Sequence, residues 1–181
     1  MLENTQMGRP WIAFFSQTGS EIVNIAKKLN YWPDLVVTNY RSSDVREINT
    51  NLEHFVELTN KPTLEELESV LKLYHNPIVT LHGWLRIMPP KICGAYEIYN
   101  GHPGLITRYP ELKGKDPQQR AWDAKHDVFG SVIHEVTEGV DEGKIVSYDG
   151  FSRDGLDNNE YFRILSKTSL NLWVEFLKGK V

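Results

Sequence analysis

The sequence predicts an α/β chain built on a doubly wound, mainly parallel sheet. Three features carry that expectation. Short apolar runs recur along the chain, each bounded by turn-forming residues. Stretches with helical apolar periodicity separate them. The polar residues best suited to chemistry fall where apolar runs end, and ligands of such sheets bind beyond the carboxyl ends of the strands. At 181 residues, one domain spanning residues 1–181 is expected, large enough to bury its own core.

Trp11 to Phe15 reads as the first strand. The polar loop Ser16-Gln17-Thr18-Gly19-Ser20 follows. Ser20 is the expected N-cap of a helix whose apolar stripe is Ile22, Ile25, Ala26 and Leu29. Leu35–Thr38 is the second strand, and a polar connection from Asn39 to Asn49 carries a short helix from Ser43. Phe55–Leu58 reads as the third strand. Thr63-x-x-Glu66 is a capping box opening a scaffold helix with Leu67, Val70, Leu71 and Tyr74 on one face. Strands are expected over Pro77–Leu81 and Glu97–Tyr99, with a short helix from Pro90 to near Gly94 between them. Gln118–Lys125 reads as a helix, and Val132–Val136 and Ile145–Tyr148 as the last strands. A final helix from Asn158 places Phe162, Leu165, Leu172 and Phe176 on one face.

Composition narrows the function classes. The 40 % hydrophobic and 24 % charged content is that of an ordinary globular protein. A formal net charge of −4 gives no footprint for general nucleic-acid binding. No segment is long and apolar enough to span a membrane, and the N-terminus lacks a signal-peptide pattern. Cys93 stands alone, so no intramolecular disulfide forms and a cytoplasmic location is the expectation. Cys93 itself reads as a small buried hydrophobe rather than a nucleophile. No His-x-x-x-His or Cys-x-x-Cys spacing occurs, so no metal is expected.

Chemistry concentrates between Ile78 and Val146. The apolar run at Glu97–Tyr99 leads into Asn100-Gly101-His102-Pro103. Asn100 and His102, two apart on a strand, project to the same side. Gly101 would let the backbone turn or a ligand approach, and Pro103 marks the strand's exit. Asp141 lies in the turn Val-Asp-Glu-Gly-Lys. An Asn, a His and an Asp meeting at strand ends would form an acid–base site with a polar hydrogen-bond donor. Separately, Thr18, Gly19, Ser20 and Glu21 join a strand to a helix N-terminus, a common phosphate site. An ordinary strand-to-helix turn is the alternative. Glu21 suits the helix dipole but would repel a nearby phosphate.

The order of these motifs resembles the folate-dependent formyltransferases, nearest their phosphoribosylglycinamide branch. Gly83-Trp84-Leu85-Arg86-Ile87 matches the family's Gly-x-x-Arg-Ile. Asn100 to Leu105 matches Asn-x-His-Pro-x-Leu. Gly130 to His134 and then Asp141-Glu142-Gly143 match the closing blocks. The resemblance runs from about Ile12 to the C-terminal helix and implies the Rossmann-like formyltransferase fold. It also implies transfer of a formyl group from 10-formyltetrahydrofolate to the amine of a phosphorylated small molecule. Glycinamide ribonucleotide leads, which would place the chain in one-carbon metabolism and purine biosynthesis. Glu21 and the Lys113–Pro117 loop depart from the glycinamide pattern and favour an amino sugar nucleotide as the alternative. Arg163 and Lys167 match the family's phosphate-contacting segment only loosely. Water as acceptor, or a non-catalytic nucleotide- or folate-binding role, are further readings. A monomer or homodimer is expected.

In this chemistry Asn100 would donate to the developing oxyanion. His102, favoured as imidazolium by Asp141, would donate to the tetrahedral intermediate, and Asp141 would accept the amine's proton. The resemblance assigns the pterin slot to Arg86-Ile87-Met88, with Leu85, and to Glu138-Gly139-Val140. Plain core packing is the alternative for Leu85, Ile87 and Met88. Arg86 is a candidate partner for a substrate or folate carboxylate. The acceptor's phosphate would sit at Thr18–Glu21. His134 is either structural or a support for the catalytic groups.

Overall fold

Trp11–Phe15 forms β1, and all five of its side chains are buried, as a strand covered on both faces requires. The structure is a computed structural model and describes residues 8–39, 55–138 and 141–181. Alternation along β1 sorts the core into two layers. Trp11, Ala13 and Phe15 pack on one side with Ile22 and Ile25 of the helix Ser20–Leu29 (α1). Ile12 and Phe14 pack on the other with Leu67, Val70 and Leu71 of the helix Leu64–Leu71 (α2).

Leu35–Thr38 (β2) and Phe55–Glu57 (β3) extend the sheet from one side of β1. Ile78–His82 (β4) and Glu97–His102 (β5) extend it from the other, joined by the short helix Pro90–Ala95 (α3). All pairings through β5 are parallel. A 3₁₀ turn at Pro110–Leu112 and the helix Pro117–Asp123 (α4) lead to Val128–Glu135 (β6), which reverses direction against β5. Ile145–Ser152 (β7) is antiparallel to β6. The described strands form one sheet in the order β3-β2-β1-β4-β5-β6-β7. The chain ends in the long helix Asn158–Leu177 (α5), which packs on the same face as α1. Among the described residues no helix is long and apolar enough to cross a membrane.

The capping box of α2 is present: Thr63 Oγ1 accepts from the Glu66 amide, and Glu66 accepts from the Thr63 amide at 2.7 Å. Other expectations shift. Ser20 is the first residue of α1 rather than its cap; Gly19 takes that place, and the Thr18 hydroxyl accepts from the Ser20 amide. β5 continues through His102, because antiparallel pairing with β6 gives Asn100 to His102 partners. β6 begins at Val128 and β7 runs on to Ser152, each lengthened by pairing with the other. On α5 the buried face is Tyr161, Leu165, Leu172, Trp173 and Leu177, turned from the one expected, so Phe162 and Phe176 lie at its margins. Gly101 does not turn the chain. A Cβ there would stand 2.7 Å from Trp173 Nε1, so glycine lets α5 press against β5. The short helix expected from Ser43 lies outside the described residues, as does the connection beyond Asn39.

Candidate active site

The antiparallel pairing of β5 and β6 sets Asn100 opposite His134, so both side chains leave the same face of the sheet. His102, two residues on, shares that face. Asn100 Nδ2 lies 3.3 Å from His134 Nε2. The turn after β6 brings Asp141 to both rings: Oδ1 is 3.2 Å from His134 Nε2 and Oδ2 is 3.4 Å from His102 Nδ1. Asp141 adopts a left-handed backbone with φ of 54°, which Asp tolerates better than most residues. The Gly114 amide donates to Asp141 Oδ2 at 2.8 Å. Asn100, His102 and Asp141 therefore converge where strands end: His102 is the last residue of β5, and Asp141 lies in the turn after β6. His134 touches two of them.

Backbone carbonyls fix where the ring protons lie. His102 Nε2 stands 2.8 Å from the Leu112 carbonyl and His134 Nδ1 2.9 Å from the Glu135 carbonyl. A carbonyl only accepts, so those nitrogens carry hydrogen. The remaining nitrogen of each ring faces Asp141. With both rings neutral and Asp141 ionised, lone pairs would face lone pairs, so the geometry calls for a hydrogen between Asp141 and one ring. Burial pushes the His102 imidazole below its ordinary value, and the opposing pull of Asp141 and the Leu112 carbonyl does not overcome it. This corrects the expected imidazolium: His102 is chiefly neutral at pH 7. For Asp141, burial alone would raise the carboxyl. The hydrogen bonds from His134 and Gly114 and the charges of His102 and His134 outweigh burial and hold it below the usual carboxylate range.

The Lys113–Pro117 loop, polar and loop-like in sequence, closes one wall. Arg120 on α4 donates from Nε to the Lys115 carbonyl, from Nη1 to Glu111, and from Nη2 to Leu112 and Lys113. One guanidinium thus gathers the stretch that supplies the Leu112 carbonyl to His102 and the Gly114 amide to Asp141. The sequence signal for Arg120 is faint: an Arg just past a Gly-Lys-Asp-Pro loop.

These groups line a cleft of about 740 Å3, a size suited to a small organic ligand. Leu85, Arg86, Ile87, Met88 and Glu138 line it as well. Gly139 and Val140 lie outside the described residues. Leu85 and Ile87 are exposed, at 61 % and 73 %, so the core-packing alternative fails for them, whereas Met88 is buried in the core beneath. Arg86 is anchored at the cleft by part of its guanidinium: Nε donates to the Asn60 carbonyl at 2.9 Å and Nη2 to the Asn60 side chain at 3.1 Å.

A second cleft of about 400 Å3 adjoins the first and shares Pro103 and Gln118 with it. Ser20 and Glu21 line it, facing Ser166 and Lys167 of α5. Thr18 and Gly19 line neither cleft. Glu21 Oε1 lies 2.7 Å from Nδ1 of the buried His82, a pairing the sequence did not announce. Among the described residues no group of three or more His, Cys, Asp or Glu is arranged to hold a metal ion.

The family model described as "Formyl transferase" matches residues 12–151. Formyltetrahydrofolate deformylase of Bacillus subtilis strain 168 is 25 % identical over 158 residues, covering 84 % of this chain and 49 % of that protein. Phosphoribosylglycinamide formyltransferase of the same organism is 31 % identical over 104 residues, covering 56 % of this chain and 52 % of the relative. The chain thus spans about half the length of these curated relatives. The crystal structure of phosphoribosylglycinamide formyltransferase from Anaplasma phagocytophilum superposes with a TM-score of 0.83 at 20 % identity, over 95 % of this chain and 86 % of that one. At that identity the likeness speaks for the fold.

Proposed function

The chain belongs to the formyl transferase family, and on that premise we propose that it moves a formyl group from 10-formyltetrahydrofolate to a small primary amine. We read residues 1–181 as one formyltransferase domain. The observation that carries the reading is the convergence of Asn100, His102, His134 and Asp141 on one sheet face, inside a cleft whose other wall offers exposed Leu85 and Ile87. Those apolar side chains suit the flat face of a pterin, and the adjoining cleft suits the acceptor. The acceptor would meet the formyl carbon near Pro103 and Gln118, where the clefts join.

The amine attacks the formyl carbon, and the Asn100 amide donates to the oxygen as it becomes an oxyanion. Asp141, ionised and within reach of two imidazoles, accepts the proton the amine loses. His102 takes up the hydrogen that Asp141 has gained on Nδ1, since Nε2 is already held by Leu112. His134 and Gly114 hold Asp141 in place, and Arg120 holds the loop that holds His102. The carbon–nitrogen bond to the folate breaks, and that nitrogen receives the proton the site has stored. No side chain needs to form a covalent bond.

A second reading, with water as acceptor, is supported by the likeness to formyltetrahydrofolate deformylase. The test is loss of formyl from 10-formyltetrahydrofolate, followed with and without a panel of amines. Amine-dependent release with an N-formyl product supports transfer; release at full rate without amine supports hydrolysis; no release in either arm rejects both. Sizing in solution separates monomer from homodimer.

A further inference from the structure

We propose that the cleft beside α1 takes a hydroxyl-rich primary amine, and that Glu21 selects it against an acceptor carrying a phosphate at that end. The proposal deepens the transfer reading and rests on it for the identity of the acceptor side.

Glu21 is held by a line of hydrogen bonds that starts in the core. Trp11 Nε1 donates to Thr80 Oγ1 at 2.7 Å, and Trp11 and Thr80 are both fully buried. Indole nitrogen is only a donor, so the Thr80 oxygen is spent as acceptor on that side and its hydroxyl hydrogen is free to turn to His82 Nε2, 2.7 Å away. His82 Nδ1 then carries hydrogen toward Glu21 Oε1 at 2.7 Å. The His82 ring, 1 % exposed, rests against Trp173 with centroids 4.7 Å apart. A chain of donors therefore runs from the sheet to the cleft and ends on a carboxylate. Glu21 is 39 % exposed, so the part that His82 does not hold opens onto the cleft.

Gln118 lines both clefts where they meet, and its Oε1, shielded from solvent, has no hydrogen-bond partner among the described residues. The group that meets a ligand in the cleft is the open part of the Glu21 carboxylate, and it asks for donors. A phosphate dianion offers only acceptors and adds like charge to Glu21, leaving it unmet. Hydroxyls and an amine offer donors to it. Lys167 is the one cation of the described lining, but it is exposed on α5 and is not held toward the cleft floor by any described hydrogen bond.

The test measures binding without folate. D-glucosamine, D-glucosamine 6-phosphate and inorganic phosphate are titrated by ligand-observed NMR against the whole chain and its Glu21→Gln variant. The carboxamide oxygen of that variant can still accept from His82, so the fold is kept, which a melting curve checks. The expected result is at least tenfold preference for glucosamine over its phosphate, no competition by inorganic phosphate, and loss of the preference in the variant. Equal or tighter binding of the phosphate, an unchanged ratio in the variant, or failure of glucosamine to bind would each overturn the proposal. Formyl transfer to glucosamine, assayed on the same sample, judges the other reading. Selective binding without transfer counts against transfer alone, and transfer with preference for the phosphate counts against the selection alone.

Discussion

Two of the carboxylate–imidazole pairs among the described residues, Glu21–His82 and Asp141–His102, are built in opposite ways. Glu21 and His82 meet at 2.7 Å, with the imidazole sealed and the carboxylate open. Asp141 and His102 stand 3.4 Å apart, with both side chains nearly sealed, and Asp141 is shared with His134 and the Gly114 amide. In the first pair every hydrogen has one place to be, because Thr80 and Trp11 behind it fix the direction. In the second, two ring nitrogens compete over one carboxylate. A short pair with a one-way donor chain positions a charge; a longer, shared pair can pass a proton. Residue type does not separate them, but the partners behind the ring do.

Asp141→Asn attacks the proton-sharing pair and should have the largest effect. Turnover should fall by roughly two to four orders of magnitude, the scale of a general acid–base group. Circular dichroism should show the fold intact, and folate titration a much smaller change. Near-normal turnover would reduce Asp141 to a turn residue.

The opposite expectation holds for Thr80→Val. That change strips the buried Trp11 indole and the His82 ring of their shared partner at nearly constant volume. It should cost about 2–3 kcal/mol of stability, the scale of unsatisfied buried groups. At about 2–4 °C per kcal/mol for a chain of this size, the melting temperature should fall by several degrees. Turnover at saturating acceptor should hardly move. A large loss of turnover with an unchanged melting curve would mean that the Glu21 pair also handles protons.

Arg120→Met tests whether the proton-sharing pair depends on its loop. Removing a guanidinium that serves four carbonyls should lower turnover by about tenfold, or about 1.4 kcal/mol in the barrier. The pH–rate profile should shift with it, and Arg120→Lys should rescue little, because one ammonium cannot reach that fan of acceptors. A full rescue by Lys would leave only the charge as important.

The smallest effect is a slope. His102 is held below its ordinary value, so between its folded value and the ordinary 6.5 the unfolded chain binds more protons and stability rises with pH. Asp141, also held low, adds stability that is present above 3.8 and is lost as pH falls through its folded value. The melting temperature should therefore decline as pH drops below about 6.5 and decline again in the acid range. His102→Gln should remove the upper decline and spare the lower. A melting temperature that climbs on acidification from 7 to 5 would contradict both directions.

What was legible in the sequence divides along the same line. β1, the capping box of α2 and the same-side pairing of Asn100 with His102 follow from local periodicity and turn chemistry. The Glu21–His82 pair spans two strands' worth of intervening chain, and no local pattern announces it. Leu112 holds His102 through a backbone carbonyl, which every residue possesses, so side-chain identity could not reveal it. A lone Arg86 invites an anionic partner, but its anchoring by the side-chain amide and the carbonyl of Asn60 leaves no trace in the local sequence. The expected imidazolium failed because proximity to Asp141 was visible in the motif order while the burial of His102 was not.

One consequence of the β5–β6 register concerns assembly. Asn100 faces His134 in only one alignment of the two strands, and a slip of one residue would send His134 through the sheet to the other side. The two strands are separated by residues 103–127, which include a 3₁₀ turn and α4, and the alignment also involves α5, because Trp173 occupies the space that a side chain at Gly101 would fill. The reactive cluster therefore cannot mature piecemeal while the chain folds. It should appear in a single late event, together with docking of the last helix, so enzymatic competence would serve as a clock for completion of folding.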